Sequence, residues 1–589
     1  MDGAALLPAF KLNHFKFAEP SLAGDVASAA LAAGYLDPSE VSDEYEAFMF
    51  SRAKVADTVT KDLVAAFKTH LRKHQRLPGK ENAEAAFKTN MESLAAVITP
   101  TKTPGRPSKR KSSIDAGSFK TPAPASGGGP SPLSASKTPG GAAALLTATP
   151  ASAFRARTQG GKVQAQLNPE LEAMPGSAQA GALKVEPIGE GLSEHARYIG
   201  DTLKSKAMFV ESRILGFMAA VEAAGGPSAT FPVSAPSQEP VYVAGRITCD
   251  SDGKLNEQSA MLEGSMQHSG GASVKLDLSK VPSYSLFPGQ VVLVEGTNPT
   301  GRCITATSIV SAVPAAATPT EPRQVSPHSV VAACGPFSTS ENLAYEPLQE
   351  LLEYCTREAP GLLLLMGPFV DVEHPAVASG QLDITFDDLY AAQVRDHVET
   401  FLQRRDCSTR VVLVPAQRDV HHHPVFPQPP LSSGAFDPPG AVSCLPNPAS
   451  WTAGGVAYGA CTTDVLRHLS AADIRKGAQD RVAQLASYAL DQGSFYPLYP
   501  PAPGVNLDAS LASEHLAMPS RLDILLAPSD LGPCAKAVRP AGGQAAAVVV
   551  NPGRLAKGAG GGSFAHLHVH APKEGGAMAD SVRVDIIRV

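Results

Sequence analysis

The spacing of apolar positions changes several times along the chain and divides it into segments of different type. Over residues 1–95, apolar side chains recur at helical spacing, as at positions 62–71 and again at positions 84–97. This spacing predicts a small all-α N-terminal module. Helical modules of this size commonly dock other proteins, so we expect partner binding here and no chemistry.

A second kind of segment follows the predicted module. Residues 96–192 are rich in Pro, Gly, Ser, Ala and Thr, and such a segment cannot bury enough apolar surface to offset chain entropy. We therefore predict a disordered linker over residues 96–192. Helical spacing returns at residues 193–230, which predicts a connecting helix between the linker and the next domain.

Short apolar runs separated by Gly and Asp turns occupy residues 231–312. They predict strands at residues 241–247, 259–264, 274–278, 290–296 and 304–310. This number and spacing of short strands is typical of a small all-β barrel of the OB type. A Pro-, Ala- and Thr-rich stretch then predicts a second linker at residues 313–328.

An OB barrel binds single-stranded nucleic acid when it offers stacked aromatic rings and a basic groove. The candidate rings here are Tyr242, Tyr284 and Phe287. Because the candidate cations Lys275 and Lys280 are spread among acidic residues, a barrel that docks protein is the favoured interpretation. Single-strand binding stays the alternative.

From residue 329 to residue 589, apolar strands alternate with helical segments, and this order predicts an α/β domain. Its helices are predicted at residues 346–354 and 386–402. Its strands are predicted at residues 330–334, 362–366, 411–414, 456–459, 522–527, 547–551, 566–570 and 582–589. The whole chain is therefore expected to be multidomain.

Loops that follow the carboxyl ends of strands form the active sites of α/β domains. A two-metal phosphoesterase needs carboxylate and imidazole ligands that converge there. In this chain the positions expected to carry ligands form a degenerate set: Gly335, Phe337, Pro368, Asp371, Gln417, Arg418 and Asp419. A fixed guanidinium at Arg418 repels two divalent cations by roughly several kcal/mol. We predict an inactive metallophosphoesterase-like domain with no catalytic residue, no metal and no cofactor.

Two histidine-rich stretches also suggest metal ligands. Neighbouring side chains at residues 421–423 point alternately, so local hydrogen bonds are favoured over convergence on one ion. His566, His568 and His570 share one face of a predicted strand, which we interpret as a surface strand.

Composition narrows the class of protein. The chain has 589 residues, a net charge of −6 and a pI of about 6.3, so no chain-wide basic field recruits nucleic acid. Its eight cysteines form no Cys-x-x-Cys pair, which disfavours structural zinc and fits a reducing compartment. Apolar runs fall far short of the ~20 residues that a membrane span requires, and the N-terminus shows no signal pattern. We expect an intracellular soluble protein.

The predicted linker carries modification and targeting signals. Candidate phosphorylation sites are threonines followed by proline: Thr99, Thr103, Thr121 and Thr138. The first two match the Thr-Pro-x-basic pattern of cyclin-dependent kinase substrates, and each phosphate would add about −1.5 to −2 charges. A basic cluster that fits nuclear import follows: Arg106, Lys109, Arg110 and Lys111. We expect a nuclear phosphoprotein.

Several irregular strings resemble the B subunits of eukaryotic replicative DNA polymerases, and among them the alpha type. They lie at residues 238–240, 249–256, 284–289, 333–337, 367–369, 418–430, 496–501 and 551–555. They extend from about residue 195 to the end of the chain. The resemblance implies an OB barrel packed against an inactive calcineurin-like phosphoesterase domain.

The resemblance also implies a non-catalytic scaffold subunit of DNA polymerase alpha–primase, a complex that makes primers at origins and on the lagging strand. Implied partners are the C-terminal domain of the polymerase catalytic subunit and the primase subunits, with replication-initiation factors at the N-terminal module. DNA would be contacted mostly indirectly, and no membrane is implied. The alternatives are an epsilon-type B subunit, or a residually active metallophosphoesterase that uses Asp371, Asp419 and His422 with one metal.

Overall fold

A computed structural model describes parts of residues 6–73 and most of residues 154–589. The described positions are 6, 10, 16–19, 21–32, 38, 41–42, 45, 58–73, 154–174 and 183–589, with gaps in the last range at 228–229, 252, 313–323, 381, 405–406, 433–435, 478–479, 520–521, 540–545 and 574–575. The predicted helix at 84–97, the four candidate threonines and the basic cluster lie outside the described residues. The chain divides into two compact units, Met1–Pro132 and Leu133–Val589.

The first unit is mainly helical where it is described. Its elements are β1 (Lys16–Phe17), α1 (Ser21–Ala32), β2 (Thr58–Val59) and α2 (Lys61–Lys73). The helix predicted at 62–71 matches α2, and buried Val26 of α1 and Phe67 of α2 belong to one apolar core. The strands β1 and β2 pair in parallel, a feature that the all-α prediction did not include.

The second unit opens with two strands inside the segment predicted to be disordered. They are β3 (Val163–Leu167) and β4 (Glu186–Pro187), and α3 (Leu203–Ala223) follows as the connecting helix. The predicted disordered linker at 96–192 is therefore wrong over residues 154–174 and 183–192. The local sequence signal for strand β3 was the alternation of apolar and polar residues in Val-Gln-Ala-Gln-Leu. The average composition of the segment does not show this alternation.

The OB-type barrel predicted at residues 231–312 is confirmed. Its elements are β5 (Ser237–Cys249), β6 (Ala260–Glu263), α4 (Met266–Ser269), β7 (Ser273–Asp277), β8 (Tyr284–Leu286), β9 (Val291–Asn298) and β10 (Cys303–Val310). Five of these strands close in the order β10-β7-β6-β5-β9. Tyr284 and Phe287 are 5% and 0% exposed, so neither ring offers a face for base stacking, whereas Tyr242 is 40% exposed.

The remaining residues form the α/β domain. Its elements are β11 (His328–Cys334), α5 (Glu346–Glu358), β12 (Leu362–Met366), α6 (Pro375–Ala378), α7 (Phe386–Tyr390), a π-helical turn (Ala391–Arg395), α8 (Asp396–Leu402), β13 (Arg410–Val414), β14 (Val442–Cys444), β15 (Ala449–Ala453), β16 (Val456–Ala460), α9 (Val465–Ala472), β17 (Ile474–Lys476), α10 (Arg481–Asp491), α11 (Ala509–His515), β18 (Ile524–Leu526), β19 (Cys534–Val538), β20 (Ala547–Asn551), β21 (Ala556–Lys557), β22 (Gly560–Gly561), β23 (Ser563–Val569), a 3-10 turn (Met578–Ser581) and β24 (Val582–Arg588).

Two sheets form the centre of this domain. One has the order β14-β13-β12-β11-β23-β24-β3, and the other has the order β19-β20-β18-β16-β15-β4. Alternate residues of each strand face opposite sides, so Val330 and Leu364 pack between the sheets against Trp451. The other faces are covered by helices, for example Leu365 by α5 and α8, and Leu525 by α9 and α10. The result is a four-layer arrangement of helix, sheet, sheet and helix.

Parts of the predicted linker cover an edge of each sheet. Strand β3 pairs with β24 in the first sheet, and β4 pairs with β15 in the second. Phe154 precedes β3 and is 2% exposed in the core, with the Arg157 guanidinium 3.7 Å from its ring centroid. Neither sheet therefore presents β24 or β15 as a free edge.

The histidines of β23 are buried, so the predicted surface strand is wrong. Strand β23 lies between β11 and β24, and His566 and His568 are each 3% exposed. The Tyr354 hydroxyl lies 2.8 Å from His566 Nδ1, and the Met174 N–H donates to His568 Nδ1 over 3.1 Å. Both rings lie inside the fold, and His566 Nε2 is buried with no hydrogen-bond partner among the described residues.

The barrel and the α/β domain pack directly on one another. Strand β8 pairs with β17, and the Gln492 side chain bonds both the N–H and the carbonyl of Val291, over 2.8 and 2.9 Å. The rings of Phe287 and Tyr488 meet with centroids 4.8 Å apart. No described helix is long and apolar enough to cross a membrane.

Candidate functional site

Glycine, proline and phenylalanine stand at the carboxyl ends of β11 and β12, where metal ligands were expected. Gly335 and Gly367 each precede a cis proline, and a Cβ on Gly335 would collide with the carbonyl oxygen of Pro368. Phe337 stacks on Phe369 with ring centroids 5.3 Å apart and planes 8° from parallel. Backbone and aromatic rings thus fill the positions where this edge was expected to carry ligands.

Asp419 is buried, and its carboxylate accepts hydrogen bonds from the backbone. Its carboxylate accepts the N–H groups of Phe369, of Val370 over 3.1 Å and of Ala416 over 2.8 Å. Burial raises the pKa of Asp419 to about 7, and the three N–H donors oppose that rise. Both oxygens are occupied, so this carboxylate ties the loop after β13 to the loop after β12.

Arg418 forms an ion-paired cluster beside it. Its guanidinium donates through Nε to Asp371 Oδ1 over 3.0 Å and through Nη2 to Asp371 Oδ2, which is a bidentate pair. The same Nη2 lies 2.8 Å from a Glu373 carboxylate oxygen. The side chain of Asp371 is 5% exposed, so Arg418 neutralises a largely buried carboxylate. Gln417 has a buried Nε2 with no hydrogen-bond partner among the described residues.

A second guanidinium, from Arg554, joins the two sheets. Its Nη1 lies 3.1 Å from Cys334 Sγ at the end of β11, and its Nε donates to Asp530 over 2.9 Å. Asp464 lies 3.7 Å from Nη2. Burial lowers the pKa of Arg554, but Cys334, Asp530 and Asp464 raise it by more, so the group stays charged.

Topology explains why these groups meet. Strands β11, β12 and β13 are parallel, and β16, β18 and β20 are parallel in the other sheet. Their carboxyl ends therefore collect Arg418 and Asp419 from one sheet, and Asp464, Asp530 and Arg554 from the other. Within the described part of the chain, no three His, Cys, Asp or Glu side chains are placed to hold a metal ion.

The histidine run at residues 421–423 forms separate contacts. His422 Nε2 lies 2.8 Å from the carbonyl oxygen of Pro429, and His423 Nδ1 contacts the Tyr198 hydroxyl over 2.5 Å. His421 stacks on Tyr390 at 4.4 Å, and neither of its ring nitrogens has a hydrogen-bond partner among the described residues. Burial lowers the pKa of His421 to about 4. The three rings do not converge on one point.

The sequence did not predict the roles of Arg554, Cys334, Asp464 and Asp530. Residues 551–555 supported the family resemblance, yet nothing in that string pairs Arg554 with a thiol 220 residues earlier. The only available signal was that Arg554 and Asp530 both follow predicted strand ends.

Comparisons with known proteins place this geometry in a family. Residues 330–535 match the family model of the DNA polymerase alpha/epsilon B subunits, and residues 222–312 match the model of the OB domain of the DNA polymerase alpha B subunit. The DNA polymerase alpha B subunit of Mus musculus is 35% identical over 456 residues, which is 75% of this chain and 74% of the mouse protein. The chain belongs to the family of DNA polymerase alpha B subunits.

Other members of this family show similar agreement. The Rattus norvegicus protein is 36% identical over 61% of this chain and 60% of its own length. The Schizosaccharomyces pombe protein is 33% identical over 59% of this chain and 62% of its own length. Because these relatives and the barrel model are all of the alpha type, the epsilon alternative is not supported.

Proposed function

We propose that this chain is a non-catalytic scaffold subunit of DNA polymerase alpha–primase. In this role it binds the C-terminal domain of the polymerase catalytic subunit and holds it in one complex with the primase subunits. It thereby supports the start of DNA replication and primer synthesis on the lagging strand. The N-terminal module docks replication-initiation factors, and DNA is contacted mostly through the partners.

The ion-paired clusters of Arg418 and Arg554 at the strand ends support the proposal that the chain is non-catalytic. Arg418 and Arg554 are positively charged and paired with carboxylates at the carboxyl ends of the strands, the edge at which a two-metal site was expected. Asp419, a potential ligand, has both oxygens bonded to backbone N–H groups. A metal would have to displace these charged groups against Coulomb repulsion before it could activate water.

The packing of barrel against α/β domain supports the scaffold part. The Gln492 bonds to β9, the β8–β17 pair and the Phe287–Tyr488 contact join the two into one folded body. A large body of this kind, with its strand-end site occupied by ion pairs, is suited to binding proteins. A nuclear location and phosphorylation of the linker threonines complete the proposal.

Co-expression tests the proposed partner. The full chain is expressed with the C-terminal domain of the alpha catalytic subunit, and the mixture is separated by size-exclusion chromatography. We expect one-to-one co-elution with the alpha domain and none with the epsilon and delta counterparts. Elution as a free chain with all three domains would refute the scaffold proposal.

Hydrolysis of a phosphodiester with added Mn²⁺ tests the absence of catalysis. The parent chain and Asp371→Ala are expected to give the same rate as buffer. Turnover by the parent that disappears in Asp371→Ala would establish the residually active phosphoesterase instead. Asp250→Ala, a change at an exposed aspartate of the barrel, is the matched control.

A further inference from the structure

A pair of arginines lies where α3, the barrel and the α/β domain meet. Arg246 of β5 donates from Nη2 to both Glu263 oxygens, over 3.0 and 2.8 Å. Its Cζ lies 5.5 Å from the ring centroid of Tyr499, which belongs to the α/β domain. Arg213 of α3 lies over Phe209 at 5.8 Å, and Phe209 contacts Tyr499 with centroids 5.6 Å apart. We call Arg213, Arg246, Glu263 and Tyr499 the arginine junction.

The arginine junction holds two guanidinium groups and one carboxylate. Phe209 and Tyr499 link the two guanidinium groups, and burial, then the charge of Arg246, lower the pKa of Arg213 to about 10. The nearest acidic residue on α3, Glu211, is engaged elsewhere, since it accepts the N–H groups of Met266 over 2.7 Å and Gln267 over 3.1 Å. Summed over its own four residues, the arginine junction carries a net charge of +1, because Glu263 balances only one of the two arginines.

Two donor atoms of the arginine junction are also unused. Arg213 Nη2 and Arg246 Nε are buried and have no hydrogen-bond partner among the described residues. Both Glu263 oxygens accept from Arg246 Nη2, and neither of the two unused donors bonds to this carboxylate. Leaving a buried charged donor without an acceptor is costly. One anion that accepts hydrogen bonds from these two donors would therefore satisfy the arginine junction.

We propose that the arginine junction is a binding site for a carboxylate, supplied by an acidic side chain of a protein partner. A carboxylate carries a single negative charge, which matches the excess at the junction, and it can accept from two guanidinium groups at once. The ligand enters beside Arg246 and Glu263, whose side chains are 16% and 28% exposed. That a protein supplies this carboxylate rests on the proposed scaffold function. The existence of the carboxylate site does not depend on that function.

Thermal unfolding of the full chain in sodium acetate tests the site. Acetate is exchanged for chloride at constant ionic strength, and the change in Tm is recorded for the parent, Arg213→Met and Arg302→Met. Arg302 is an exposed arginine of the same barrel and serves as the matched control. We expect a saturable rise in Tm for the parent and for Arg302→Met, and no rise for Arg213→Met.

The measured quantity is the acetate-dependent increment, so it stays informative if Arg213→Met alters the starting Tm. An equal increment in Arg213→Met, or none in the parent, would overturn the site. A saturable rise with inorganic phosphate and none with acetate would overturn the assignment of a carboxylate.

Affinity for the C-terminal domain of the alpha catalytic subunit then distinguishes the sources. If that domain supplies the carboxylate, Arg213→Met raises the Kd for the domain by about tenfold or more, and Arg302→Met leaves this Kd unchanged. If acetate raises the Tm of the parent but Arg213→Met leaves the Kd for the domain unchanged, this domain is not the source of the carboxylate. The site would then be assigned to a small-molecule carboxylate. If the parent does not bind the domain at all, the scaffold proposal fails, while the acetate result still decides the site.

Discussion

Replacing Asp419 separates a structural role from a catalytic one. Oδ1 of this carboxylate accepts from Phe369 and Val370, and Oδ2 accepts from Ala416. Asp419→Ala leaves all three buried N–H donors without their acceptor. Asp419→Asn keeps one oxygen for Phe369 and Val370 but turns an amide donor towards the Ala416 N–H, so it removes one.

The geometry sets the magnitudes. An unsatisfied buried donor costs about 1–3 kcal/mol, so Asp419→Asn should lower the free energy of unfolding by about that amount. Asp419→Ala leaves three such donors unsatisfied, but water entry and the removal of a poorly solvated carboxyl offset part of the summed penalty. We therefore expect Asp419→Ala to cost about 3–5 kcal/mol. Burial already raises the pKa of Asp419 to about 7, which limits the charge that is lost at neutral pH.

Urea unfolding at pH 7, followed by linear extrapolation, measures these differences. The exposed Asp250→Ala is the control and should stay within about 0.5 kcal/mol of the parent. The reasoning is refuted if Asp419→Ala is as mild as the control, or if Asp419→Asn costs as much as Asp419→Ala. Restored cation binding in either variant would also contradict it.

Three further predictions concern other parts of the fold. His421 has a folded pKa of about 4 against 6.5 unfolded, so the unfolded chain binds the extra proton and stability is lost as pH falls through this window. His421→Phe should keep the stack on Tyr390, match the parent at pH 7 and exceed it by about 2 kcal/mol at pH 5 in urea unfolding; equal losses in both proteins would contradict this. Phe154→Ala removes a ring worth about 3–5 kcal/mol when buried, so limited proteolysis should cleave within residues 154–174 of the variant and leave the parent intact; equal resistance of both would show that the segment is held by other contacts. Arg554→Met leaves Asp464 without its cation and leaves Asp530 with Arg467 alone, so it should cost about 3–5 kcal/mol in urea unfolding. Arg554→Lys should recover less than half, because an ammonium cannot reproduce the planar set of donors; full recovery would mean that charge alone matters.

Some of this architecture was readable from local pattern. The barrel strands and the parallel strands of the α/β domain were predicted because period-two alternation and short buried runs are properties of a few consecutive residues. The same holds for α2 and for the helix that begins at Glu346. The side chains at the ends of β11 and β12 were also readable, since glycine, proline and phenylalanine offer no carboxylate or imidazole to a metal ion.

Other features depend on residues far apart in the chain. The alternation of β23 identifies one face with His566 and His568, but only the placement of β23 between β11 and β24 buries that face. Likewise, the composition of residues 96–192 predicts disorder on average. Pairing of β3 with β24, more than 400 residues later, gives that short alternating stretch a sheet to join.

The barrel, the α/β alternation and the identity of the side chains at the strand ends follow from the local sequence. What the side chains near these ends contact depends on the folded chain: Arg554 reaches Cys334 from the other sheet, Arg418 closes on Asp371, and Arg246 of the barrel lies over the ring of Tyr499 in the α/β domain. Hydrophobic periodicity is a property of neighbouring residues, so it can be read directly. Compensation of a buried charge requires groups that only folding brings together.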